Sequence, residues 1–145
     1  MLPRPRPAAS RLIAGCVQHF AATPSAAGWA RRHSADVLER WGVKQMTDDV
    51  CLVVSELVGN AVQHAVTPKV APATCRLVLK LFVDALSVEV WDPSPGAVAP
   101  VAQDDVLSES GRGLAIVQAL CLAPPLAFSG PGIGKTVVAI LPRPH

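Results

Sequence analysis

Charge is scarce in this chain: only 17% of its 145 residues are Asp, Glu, Lys or Arg, while half are hydrophobic. That balance excludes general disorder and leaves enough apolar side chain for a two-layer core in a single domain. The net charge is +2, and Arg4, Arg6 and Arg11 alone exceed it, so no basic surface built for nucleic acid is present. Paired cysteines are also missing. Cys16, Cys51, Cys75 and Cys121 lie far apart without a CxxC, three of them inside apolar runs. Reduced core thiols are expected, and neither a disulfide nor a metal centre. No apolar run approaches the ~20 residues that span a bilayer, and the proline-rich start lacks the apolar segment of a signal peptide. A soluble, cytoplasmic protein without membrane association is the expectation. There is no internal repeat.

Residues 1–10, MLPRPRPAAS, read as a flexible Pro/Arg-rich tail, and 11–145 as one domain. RLIAGCVQHF predicts a short first strand. Thr23-Pro24 supplies an N-cap and a proline at the first helical position. Trp29, Ala30, His33, Val37 and Trp41 then recur at helical spacing until Gly42. Thr47, Asp48 and Asp49 cap a second helix that runs to about Ala65. CRLVLKLF and LSVEVW alternate as an antiparallel pair. Pro93 to Ser110 form a loop, a third helix opens at Leu114, and a last strand pair lies around Pro125 to Ser129 and Lys135 to Leu141. The order predicts an α+β fold: a two-layer sandwich with a mixed, mostly antiparallel sheet and helices on one face.

Three patterns carry chemistry. In the second helix the only charged residue from Val50 to Ala65 is Glu56; Asn60 follows one turn later, with Asp49 and Gln63 continuing the stripe. A carboxylate with an amide one turn away suits a general base beside a ligand for a hard cation such as Mg²⁺. In LSVEVWD, alternation puts Asp92 on the face of Leu86, Val88 and Val90. A carboxylate aimed there needs a donor, which an amino group of a bound purine or a nearby backbone N–H would each provide. In ESGRGLAIV, Gly111 and Gly113 permit positive φ and close approach of backbone to a ligand, and the helix start offers N–H groups to phosphate. Two likenesses fail. GxGxxG lacks its third glycine, because Ile116 stands there, and SGPGIGKT misses P-loop spacing and leads into a strand. His64 reads as structural, with no second histidine or cysteine at metal spacing.

Taken in order, ExxxN on a helix, Asp-x-x-x-Gly after a strand, GRGL before a helix and a late GKT resemble the histidine-kinase-like (GHKL) ATPase superfamily. The nearest likeness is to its small anti-sigma-factor serine/threonine kinases, of the actinobacterial ATP-binding regulatory type. The resemblance covers about Phe20 to Leu141. It implies that Asn60 holds the Mg²⁺ that bridges the ATP phosphates, and that Glu56 is the general base. It implies that Asp92 accepts from the adenine amino group and that Gly96 allows the nucleotide close. Gly111, Arg112, Gly113 and Leu114 would form the phosphate corner, Thr136 would help fix adenine, and Pro93 to Ser110 would be the lid. Ser94, between Pro93 and Pro95, replaces a glycine of the wider superfamily and would stiffen that lid. The implied function is phosphorylation of an anti-anti-sigma partner of the STAS type, with a sigma factor as a second partner and a homodimer left open. The competing reading is a nucleotide-sensing protein-binding module without useful turnover. A histidine-kinase fragment is disfavoured, since no dimerisation helix with a phospho-accepting histidine precedes the domain.

Overall fold

A computed structural model describes residues 11–65, 73–94, 109–129 and 134–144. The chain runs β1 (Leu12–Ala21), α1 (Ala26–Arg40), a 3-10 turn (Lys44–Met46), α2 (Thr47–Ala65), β2 (Thr74–Phe82), β3 (Ala85–Asp92), α3 (Glu109–Leu120), β4 (Leu126–Phe128) and β5 (Lys135–Pro142). The five strands form one sheet in the order β1-β2-β3-β5-β4, every neighbouring pair antiparallel. The α+β architecture expected from the sequence is therefore present, with an antiparallel rather than mixed sheet.

Alternation sets the two faces of the sheet. In β2, Cys75, Leu77, Leu79 and Leu81 are buried and the residues between them are half-exposed. In β3, Leu86, Val88, Val90 and Asp92 point the same way. Ala139 and Leu141 of β5 pair with Val88 and Leu86 and extend that face. The buried stripe of α2, Val50, Val53, Val54, Leu57, Val58, Ala61 and Ala65, packs on it, as do Ala30, Val37 and Leu38 of α1. Each such Val or Leu contributes about 1.5–3 kcal/mol by leaving water. On the other face, Lys80 pairs with Glu89 at 2.8 Å and the Arg76 guanidinium lies 5.4 Å from the Trp91 ring centre.

Helix ends differ from the sequence expectation where local hydrogen bonds compete. Thr23 does not cap α1. The Ala26 N–H donates to the Thr23 carbonyl at 3.0 Å, so Pro24 sits inside a turn and the helix begins at Ala26. Thr47 is already helical, at φ −58° and ψ −48°, because the 3-10 turn feeds straight into α2. Gly42 ends α1 as expected: it adopts φ 75°, while the Gly42 and Val43 N–H groups donate back to Glu39 and Leu38. All four cysteines are free. Burial, helped by the Asp92 carboxylate, pushes the Cys75 thiol up to about 11.

Candidate nucleotide site

α2 lies on β3 and β5 and touches α3. The stripe divides by exposure. Asp49 and Gln63 are exposed, while Glu56 and Asn60 are half-buried. Loss of water around Glu56 raises its pKa above the usual carboxylate value. A raised pKa brings a carboxylate nearer the range where a general base works at neutral pH.

Glu56 is held against α3. A Cβ on Gly113 would overlap all three carboxyl atoms of Glu56, so the absence of a side chain at 113 is what lets the two helices bring the carboxylate to that backbone. This revises the expected role of Gly113. It has no positive φ, and it lies within α3, which starts at Glu109 rather than Leu114. Gly111, Arg112 and Leu114 are helical as well. The residues immediately before Glu109 lie outside the described ones.

At the other end of α2, Asp92 closes β3. It is 1% exposed, and one of its oxygens accepts the Ser94 N–H at 2.9 Å. A carboxylate has about four acceptor sites, so this turn bond leaves capacity for a further donor. Next to it the backbone of β5 begins at very close range. Gly134 has φ 98°, and a Cβ there would strike the Asp92 carbonyl oxygen and come within 2.7 Å of the Trp91 indole nitrogen. Only glycine satisfies both conditions without strain.

Register then decides which β5 side chain joins the site. Asp92 pairs with Lys135 and Trp91 with Thr136. Cross-strand partners share a face, so Lys135 stands beside Asp92, whereas Thr136 lies with Trp91 on the face away from the helices. From there Lys135 reaches α2, its Nζ 2.8 Å from His64 Nδ1. The structure thus brings Glu56 to Gly113, one turn from Asn60, and sets Lys135 opposite Asp92 with His64 at its ammonium, while Thr136 lies on the other face of the sheet. Counting back in twos from the buried Leu141 through Ala139 and Val137 reaches Lys135, a signal that was available in the sequence. Gly96 and most of the expected lid lie outside the described residues. A separate cavity of about 510 Å³, lined by Phe20, Thr23, Trp29 and Arg32 among others, shares no residue with this site.

Two observations test the fit of a nucleotide. Ser94 Oγ is buried with no hydrogen-bond partner among the described residues, and Asp92 is a buried acceptor beside it. Among the described residues no group of three His, Cys, Asp or Glu side chains could hold a metal.

A five-stranded antiparallel sheet with α2 packed on it and α3 beside α2 defines an open-faced α+β sandwich. Residues 20–123 match the histidine kinase-like ATPase domain, and the chain belongs to that family. Membership makes ATP the expected nucleotide. The chain is also similar to the crystal structure of the RsbU and RsbW domains of Rv1364c from Mycobacterium tuberculosis. The TM-score is 0.64 at 22% identity, covering 91% of this chain and 33% of that one, a likeness of fold. Among curated proteins there is no match. Among the described residues no helix is long and apolar enough to cross a membrane.

Proposed function

We propose that the chain is an ATP-dependent serine/threonine protein kinase of the anti-sigma type, transferring the γ-phosphoryl group to a serine of an anti-anti-sigma partner with a STAS-like fold. The observation that carries this reading is the half-buried Glu56 carboxylate, raised in pKa and seated on the Gly113 backbone one turn from Asn60. A site that only bound nucleotide would have no use for a desolvated base at its phosphate end. The choice of partner class rests on the sequence resemblance, and the likeness to a protein described by its RsbU and RsbW domains is one of fold.

In this reading Asp92 accepts from the adenine amino group, and Gly96 lets the nucleotide close. The α3 start at Gly111 and Arg112, with Gly113 and Leu114 behind it, takes the phosphates. Asn60 would hold Mg²⁺ together with the phosphates, and the ion would supply charge neutralisation on the transferring group. Glu56 Oε takes the proton of the partner's serine hydroxyl as its oxygen attacks the γ-phosphorus in line, and ADP leaves. Positioning and charge stabilisation make up most of such catalysis, so small displacements of Glu56 weigh heavily.

The test is a pair of variants. Asn60→Ala weakens Mg-dependent ATP binding in calorimetric titration, and an unchanged affinity removes the metal assignment. Glu56→Gln keeps ATP binding but slows labelling of STAS-domain proteins from radiolabelled ATP by roughly a hundredfold or more, the scale of general-base loss. A fully active Glu56→Gln protein ends the general-base role. A wild type that binds ATP but labels none of them favours the nucleotide-sensing module instead.

A further inference from the structure

We infer that Lys135 is a base-reading residue of the nucleotide site, supplying a hydrogen-bond donor beside the Asp92 acceptor and so selecting adenine over guanine; this rests on the ATP-binding reading of the same cleft. Three observations converge on it. The β3–β5 register makes Lys135 the direct cross-strand partner of Asp92, on the helix-covered face. Gly134, at φ 98° with no room for a Cβ against the Asp92 carbonyl, holds the first residue of β5 close to the end of β3. The Lys135 ammonium is also anchored, with Nζ 2.8 Å from His64 Nδ1. Lysine only donates, so Nδ1 accepts and the His64 ring proton belongs on Nε2. The anchor lies at the C-terminal end of α2, where the helix dipole favours a cation.

An ammonium has three N–H donors, and the His64 contact uses one of them. Among the described residues no ion pair joins Lys135 to Asp92. Register thus sets a residue with donors to spare directly across from the Asp92 acceptor. Adenine offers the complementary edge, an N6 amino donor next to the N1 acceptor. Guanine offers O6 and N1–H, which would set acceptor against Asp92 and donor against Lys135. Both positions are then mismatched, and the buried Asp92 carboxylate facing an acceptor is the costlier of the two.

The experiment is calorimetric titration of the full chain and of Lys135→Met with Mg-ATP, Mg-GTP and Mg-1-deaza-ATP, in which a C–H replaces N1. Thermal unfolding confirms that the variant is folded. For the wild type, 1-deaza-ATP should bind roughly ten- to a hundredfold more weakly than ATP, the scale of a lost charge-assisted hydrogen bond. Lys135→Met should lose a similar factor for ATP, show no further loss with 1-deaza-ATP, and have a smaller ATP-to-GTP preference. Equal losses for ATP and GTP in the variant, with 1-deaza-ATP binding the wild type as well as ATP does, would place Lys135 on the phosphates and overturn the inference. Unchanged ATP affinity in Lys135→Met overturns it too while leaving the ATP site standing. A wild type that binds none of the three nucleotides removes both. The 1-deaza-ATP comparison uses unaltered protein, so it decides the matter even if Lys135→Met does not fold.

Discussion

Glu56 is the residue at which stability and chemistry pull apart. Its pKa is raised by burial, so the folded protein binds the carboxyl proton more tightly than the unfolded chain does. Below the unfolded value both states are protonated and nothing is lost. As pH rises through the window from the unfolded to the folded pKa, the unfolded chain ionises first and stability falls. Above the folded pKa the penalty stays constant. Glu56→Gln removes it, so the variant should gain thermal stability over the wild type at neutral pH, and the gain should vanish as pH drops below about 4, under the unfolded pKa. Urea melts at several pH values measure this. A gain that persists at acid pH would point to packing rather than ionisation.

Between elements, the contact of α2 with α3 depends on one missing side chain. Gly113→Ala improves helix propensity by up to about 1 kcal/mol, and the three atoms nearest to the added Cβ all belong to the flexible end of Glu56. Stability should therefore move by no more than a few degrees in melting temperature. The Glu56 carboxylate must swing off the α3 backbone, and phosphoryl transfer should drop by roughly two orders of magnitude, the scale of a misplaced catalytic group. Loss of fold together with activity would show that α3 docking, not Glu56 placement, depends on Gly113. The junction of β3 and β5 works differently. Gly134 meets backbone and the Trp91 indole rather than a flexible chain end, and its φ excludes other residues, so that corner is built into the backbone.

For the whole molecule, the proposed nucleotide site draws on α2, α3, β3 and β5, elements from the middle and end of the chain that meet only in the folded state. A nucleotide that binds there binds the native state alone. Saturating Mg-ATP, at about a hundred times its Kd, should stabilise the protein by about 2.7 kcal/mol. Asp92→Asn removes half of the donor–acceptor pair and should abolish most of that shift. It would keep an acceptor for the Ser94 N–H, so the turn after β3 survives. An Asp92→Asn protein stabilised as much as the wild type would move the base-binding site elsewhere.

Local periodicity carries further than register in this chain. Helical spacing located α2 over its described length, because seven apolar positions recur on one face and only Glu56 is charged between Val50 and Ala65. Alternation likewise placed Asp92 inward, since the side-chain period of a strand is two wherever the strand lies. The start of α1 was misread because Thr23-Pro24 suits a turn as well as a helix start, and the turn bond from Ala26 to Thr23 decides between them. The two glycines of ESGRGL suggested a loop, yet α3 absorbs them, since docking against Glu56 favours a helix that propensity alone does not.

The sequence by itself determined the class of protein: a helix and strand order that builds one α+β sandwich, an acid–amide stripe on α2 and an inward carboxylate on β3. Those features follow from spacings of a few residues, which the local geometry of helices and strands converts directly into shared faces. Only the tertiary structure decided that Gly113 serves to seat Glu56, that His64 braces Lys135, and that Lys135 rather than Thr136 stands beside Asp92. These depend on strand register and helix docking between segments dozens of residues apart. Packing of the whole core selects both, and a register shift by a single residue would exchange Lys135 for Thr136.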